Sequence, residues 1–261
     1  MKNYKIVLLI LAVLFQNMFS IRADESASAW LKRMAHSLAL NSDFSAQLEI
    51  GLLKTEPSLI TKNKGQPTVS PIFLHFLRQK DNKAFILITA RPSLLSGISF
   101  FCHNAQLLAY NPACLCWQNI TEMLFFQRTG FFPYELNPLE LLSLKPVRDK
   151  VTLLKDSRTA PSCVAIELIP STPIPKVKSL RLLLRINDAL PLSLDYLSEE
   201  GLALRQVFFS SFYQSKNLYW PQTIVIYLLA SAPLTLTFSD PNFEALPEFV
   251  FSKSYIEEIT H

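Results

Sequence analysis

Residues 179–187 read SLRLLLRIN. Leu180, Leu182, Leu184 and Ile186 fall on one side of a period-two chain, with Arg181 and Arg185 on the other. That is the pattern of a strand with one face in a core and one in water. Segments of the same kind recur on either side. Phe44, Ala46, Leu48, Ile50 and Leu52 alternate with Ser45, Gln47, Glu49 and Gly51. Apolar runs bounded by turn residues follow at 72–79, 84–89, 98–103, 107–110, 151–154 and 163–169, and then at 192–197, 202–213, 223–229 and 234–238. The links are of hairpin length and lack helical crossovers, so the strands read as an antiparallel meander forming one large curved sheet.

Two helices interrupt the strands. Over 27–40, Trp30, Leu31, Met34 and Leu38 fall at helical spacing opposite Lys32, Arg33 and His36. At 137–140, Asn, Pro, Leu and Glu supply an N-cap, a first-turn proline and a capping-box carboxylate, so a short apolar helix starts there. Ahead of it Phe125, Phe126, Phe131 and Phe132 surround Gly130 in a segment too irregular for a strand. Residues 55–70, TEPSLITKNKGQPTVS, read as a polar loop.

Lys2 and Lys5 precede the apolar run IVLLILAVLF at 6–15, and Ile21-Arg22-Ala23 offers a cleavage site. The run is too short to span a bilayer and matches a secretory signal, so residues 1–23 are expected to be a cleaved signal peptide and 24–261 one exported domain. No cysteine stands at that boundary to carry a lipid anchor. The net charge of +4, without a Lys/Arg cluster interleaved with aromatics, does not point to nucleic acid. With 49% apolar residues and 19 Phe, the chain has more apolar surface than a soluble protein of this size ordinarily hides.

The stretch 97–117, GISFFCHNAQLLAYNPACLCW, carries three of the four cysteines. Its first part is a hairpin turning at 103–106, and Cys114 and Cys116 share a face if the chain is extended there. C-x-C is neither a paired zinc knuckle nor a thioredoxin-like motif, so no metal or redox centre is expected. In an oxidising compartment Cys102, Cys114, Cys116 and Cys163 can pair in three ways or stay buried as thiols. The four histidines are dispersed, and the five glycines form no nucleotide-binding turn and no hydrolase elbow. The carboxylate pairs Glu199-Glu200 and Glu257-Glu258 lie in a turn and near the C-terminus, where charges face solvent.

Four stretches, in chain order, resemble the LolA-like outer-membrane lipoprotein-sorting proteins of bacteria. They are AFILITARPSLLSGISFFCHNAQLLAYNPA at 84–113, RINDALPLSLDYLSEEGLALRQVFF at 185–209, YWPQTIVIYL at 219–228 and LTLTFSDPNFEALPEFVFSKSYIEEI at 234–259. With the leading helix the resemblance runs over 25–259. It implies a mainly β chain with a few helices: a strongly curved antiparallel sheet, an open half-barrel, with helices plugging its concave face around an apolar cavity for acyl chains. The chain departs from that family at 122–144, where Phe replaces much of the family's Gly and Ser.

On this resemblance the cavity is expected to be lined by Trp30, Met34, Phe44, Leu48, Ile50, Ile88, Leu139, Leu142, Leu182 and Leu184, with Phe125, Phe126, Phe131 and Phe132 at its mouth or lid. The implied function is that of a monomeric, non-enzymatic periplasmic carrier without cofactor or metal. It would bind the acyl chains of lipoproteins, or phospholipid, take them from an inner-membrane ABC transporter and pass them to an outer-membrane acceptor. The alternative is an envelope sensor or interaction module of the same fold that binds lipid or lipoprotein and regulates a partner without transfer. An outer-membrane β-barrel would also use many strands, but 17 prolines and two helices argue against it.

Overall fold

The computed structural model describes residues 26–38, 42–52, 71–80, 84–91, 96–103, 106–120, 150–154, 161–170, 176–228 and 233–260. The expected signal peptide, the polar insert at 55–70, the Phe-rich stretch and the helix starting at Asn137 lie outside them.

Helix α1, Ala27–Ser37, starts where the Ser26 hydroxyl accepts a hydrogen bond from the Ala29 amide at 3.3 Å. Thirteen strands follow: β1 Phe44–Leu52, β2 Ile72–Arg78, β3 Ala84–Arg91, β4 Ser99–His103, β5 Gln106–Asn111, β6 Cys116–Asn119, β7 Lys150–Leu154, β8 Cys163–Ile169, β9 Ser179–Arg185, β10 Pro191–Leu197, β11 Ala203–Ser215, β12 Leu218–Leu228 and β13 Leu234–Asn242. A 3-10 turn, Glu248–Phe251, leads into helix α2, Lys253–Thr260.

All thirteen strands form one antiparallel sheet in the order β6-β5-β4-β3-β2-β1-β13-β12-β11-β10-β9-β8-β7. Each half is a meander, and the first and last strands lie side by side with Leu48 opposite Phe238 and Leu52 opposite Leu234. The two edges are β6 and β7, neighbours in the chain, so the sheet is an open half-barrel that does not close. The expected fold class holds.

Helix α1 packs on one face, the inner one, against β7 and β12. Trp30, Leu31 and Met34 are fully buried there among the inward residues of the strands. In β9, Leu180, Leu182 and Leu184 point into this core while Arg181 and Arg185 face away, as their alternation requires. Arg185 also closes the β9–β10 turn with a bidentate ion pair to Asp188, whose main-chain carbonyl accepts the Ser37 hydroxyl at 2.9 Å. That turn therefore fixes the end of α1.

A second, smaller core lies on the outer face, where Ala84, Ile86, Phe101 and Tyr110 pack against Val250, Phe251 and Ile256. This explains why AFILI is apolar at every position: β3 is sandwiched between two cores.

Three features differ from the sequence reading. Residues 114–116 are not extended, because Leu115 adopts φ 52 and the chain turns into β6. The tail after β13, for which the sequence named no helix, forms α2, and the Glu257 carboxylate, expected to face solvent, accepts the Trp117 indole N–H at 2.6 Å. Strand β12 begins at Leu218, earlier than 223, because its first residues pair with β11 alone. Pro221 thus stands before the β13 ladder begins and leaves no gap in it.

Candidate functional site: the inner face of the sheet

The inner face is a continuous apolar surface running from β5 through the β1–β13 junction to β7. Among the expected cavity residues, Trp30, Met34, Phe44, Leu48, Ile50, Leu182 and Leu184 are all buried in this one core. Ile88 is partly buried on the opposite face with Ala84 and Ile86. The register explains its position: Phe76 of β2 pairs with Leu87, so Leu87 and Phe85 take the inner side and Ile88 the outer. Leu139, Leu142, Phe125, Phe126, Phe131 and Phe132 lie outside the described residues.

At the β1–β13 junction the wall is aromatic. Phe44 stacks on Trp220 with centroids 4.1 Å apart, and Phe243, Phe76 and Phe238 stand 5.3, 5.9 and 6.5 Å from it. Trp220 meets Phe238 edge to face at 5.5 Å. Into this cluster comes Arg78, fully buried, its guanidinium 4.8 Å from the Trp220 ring centroid and 5.7 Å from that of Phe44, with Nη2 donating to the Ser42 carbonyl at 3.0 Å. Ring faces and a carbonyl together replace part of the water this cation gives up.

The sequence reading did not single out Arg78, Trp220, Phe76 or Phe238. Parity was the available signal: in IFLHFLR, Leu74, Phe76 and Arg78 share a face, and in YWPQTIVIYL so do Trp220, Ile224 and Ile226. The Trp220 indole N–H is buried and has no hydrogen-bond partner among the described residues.

Towards the other end of the same face, Arg205 of β11 lies 5.3 Å from the Tyr196 ring centroid. The only element of the described residues that lies across the β7–β13 half of the inner face is α1. Chemically the surface offers greasy walls, two cations seated on aromatic rings and one unsatisfied indole donor. Among the described residues no three His, Cys, Asp or Glu gather to hold a metal ion.

The chain resembles solved structures across nearly its whole length. A domain named for outer membrane lipoprotein sorting, from Vibrio parahaemolyticus, matches with TM-score 0.69 at 19% identity, over 87% of this chain and 97% of that one. A LolA superfamily protein from Nitrosomonas europaea matches with TM-score 0.65 at 14% identity, over 88% and 99%. A DUF1329 family protein from Desulfovibrio piger matches with TM-score 0.69 at 14% identity, over 88% and 97%. No family model and no curated protein sequence matches the chain. At these identities the likeness establishes the fold, which is LolA-like.

Proposed function

We propose that this chain uses its LolA-like fold as a non-enzymatic carrier that holds acyl chains of lipoproteins or phospholipid against the inner face of the half-barrel. The observation that carries the reading is the inner face itself: an apolar wall across an open sheet, with Arg78 and Arg205 seated on its aromatic rings and, of the described residues, a single eleven-residue helix lying on it. Burying an acyl chain yields about 0.8 kcal/mol per CH₂, so a sixteen-carbon tail is worth about 12 kcal/mol. Only an enclosed apolar surface competes with a membrane for such a ligand, and a half-barrel can open at its β6 and β7 edges without breaking a ladder. Lipoprotein sorting in the name of the Vibrio domain fits the same chemistry.

On this reading residues 1–23 export the chain to the periplasm, an inner-membrane transporter loads it and an outer-membrane acceptor unloads it. The first test is mass spectrometry of an organic extract of the purified protein, in which acyl lipid is expected. Leu184→Glu, which places a carboxylate on the inner wall, should abolish that lipid while circular dichroism shows the sheet retained. Full lipid in a folded Leu184→Glu protein would refute the site. Delivery of an acylated substrate to an acceptor then separates carrier from sensor, since binding without delivery supports the regulatory alternative.

A further inference from the structure

The turn between β5 and β6 contains a disulfide between Cys114 and Cys116, and the hairpin is held without it. Asn111 pairs with Cys116 and Tyr110 with Trp117, the Asn111 carboxamide oxygen accepts from the Ala113 amide at 3.0 Å, and its carbonyl accepts from the Cys114 amide at 3.3 Å. A cross-link that closes so short a loop removes little chain entropy, so it contributes little to folding. It encloses Leu115, which sits at φ 52, a left-handed conformation that residues other than glycine disfavour. Both cysteines are exposed, and Leu115 is 62% exposed. An accessible cross-link that the hairpin does not need is one that a thiol can reach and open.

One residue beside this ring holds α2 directly, and the residue on its other side packs on Gly97, which borders the end of the helix. On one side, Trp117 donates its indole N–H to Glu257 at 2.6 Å and carries the Lys253 ammonium 5.2 Å from its ring centroid. On the other, Gly97 lies between Pro112 and the end of α2: a methyl group added at Gly97 would meet Pro112 Cγ at 3.0 Å and Thr260 Cβ at 3.5 Å. The ring thus adjoins Trp117, whose contacts help seat the last helix on the outer face.

We propose that Cys114–Cys116 is a thiol–disulfide exchange site, opened reversibly by a dithiol, and that opening it loosens α2. A thiolate of the dithiol attacks one cysteine sulfur and the other leaves as a thiolate. The second thiol of the reagent then resolves the mixed disulfide. The net change converts the Cys114–Cys116 disulfide to two thiols and the dithiol to a disulfide, with two electrons and two protons passing to the protein. Released from the ring, Leu115 is free to leave its left-handed angle; the β5–β6 pairs keep the hairpin, but its turn end moves more freely and the neighbouring Trp117 holds α2 less firmly. None of this depends on what the inner face binds.

The test is a dithiothreitol titration of the oxidised, folded protein, with thiols trapped by iodoacetamide and located by peptide mass, and amide exchange of residues 253–260 followed in parallel. Cys114 and Cys116 should be alkylated together while the sheet amides stay protected. Exchange in α2 should rise on the order of ten-fold and return on reoxidation. Cys114→Ser/Cys116→Ser should show the faster exchange at every reagent concentration, and Cys163→Ser should leave the response intact. A disulfide that persists until the sheet itself unfolds would overturn the proposal. So would clean reduction with α2 exchange unchanged, or a response abolished by Cys163→Ser.

Discussion

Phe44→Ala measures whether the inner face is solid at the β1–β13 junction. The ring is fully buried, stacked at 4.1 Å on Trp220 and surrounded by Phe243, Phe76 and Phe238 within 6.5 Å. Removing a phenylalanine ring from a packed site costs about 3–5 kcal/mol, because the lost transfer energy is joined by the cavity left behind. If the ring instead borders space already able to take a lipid tail, little cavity term is added and the cost falls to about 1.5–3 kcal/mol. The packing seen predicts the larger figure. Urea unfolding followed by tryptophan emission would measure it, since Trp220 reports directly on the site. A loss of about 2 kcal/mol or less, with an unchanged dependence on urea, would refute the reading of this end as packed aromatic core and place the lipid space here instead.

Gly97→Ala should destabilise the seat of α2, because Gly97 sits at φ 79 and its new methyl group would press on Pro112 and Thr260. A cost of about 1–2 kcal/mol from the backbone alone is expected in thermal unfolding. Glu257→Gln keeps an acceptor for the Trp117 indole but removes the charge that strengthens the bond; faster amide exchange confined to residues 253–260 is expected. Glu200 should titrate below the usual carboxylate range in a pH series followed by NMR. The Ser198 hydroxyl donates to its carboxylate at 2.7 Å, and the residue's own amide and Lys178 act in the same direction. A depressed folded-state value means this contribution is present above the ordinary carboxylate pKa and lost as the pH falls through the folded one. Ser198→Ala should move the titration upward.

Strand positions were legible where a core-facing strand follows period two, as β9 does from Leu180 to Arg185 apart from the apolar Leu183 on its outer side. Which face a residue takes was legible only where the other face is polar. In AFILI every position is apolar, so only the pairing of Phe76 with Leu87 decides that Ile88 faces outward. Arg78 illustrates the converse: its parity with Leu74 and Phe76 places it inside, but a lone arginine in a strand ordinarily reads as a solvent marker. The tail KSYIEEIT is short, with three of its eight residues charged, so little in it announces a helix; its stability comes from Trp117 and the outer core rather than from propensity. The disulfide was illegible for another reason: the sequence left three pairings open, and nothing in it shows that Leu115 takes φ 52 between the two bonded cysteines.

On the carrier reading the decisive quantity is what an acyl chain must displace. Helix α1 and the residue that caps it bury Trp30, Leu31, Met34 and Leu38 against the inner face. At about 1.5–3 kcal/mol for each large apolar side chain, seating the helix is worth about 6–12 kcal/mol. A sixteen-carbon tail offers about 12 kcal/mol for the same wall. The helix matches the tail only at the upper end of its range. A helix worth far more would exclude lipid, and one worth far less would leave an empty carrier exposing its wall to water. Near balance at that end lets a loading partner tip the exchange one way and an acceptor the other, without nucleotide chemistry in the chain itself. With the helix seated, its end is tied to the sheet by the Ser37 hydroxyl, which donates to the Asp188 carbonyl at 2.9 Å.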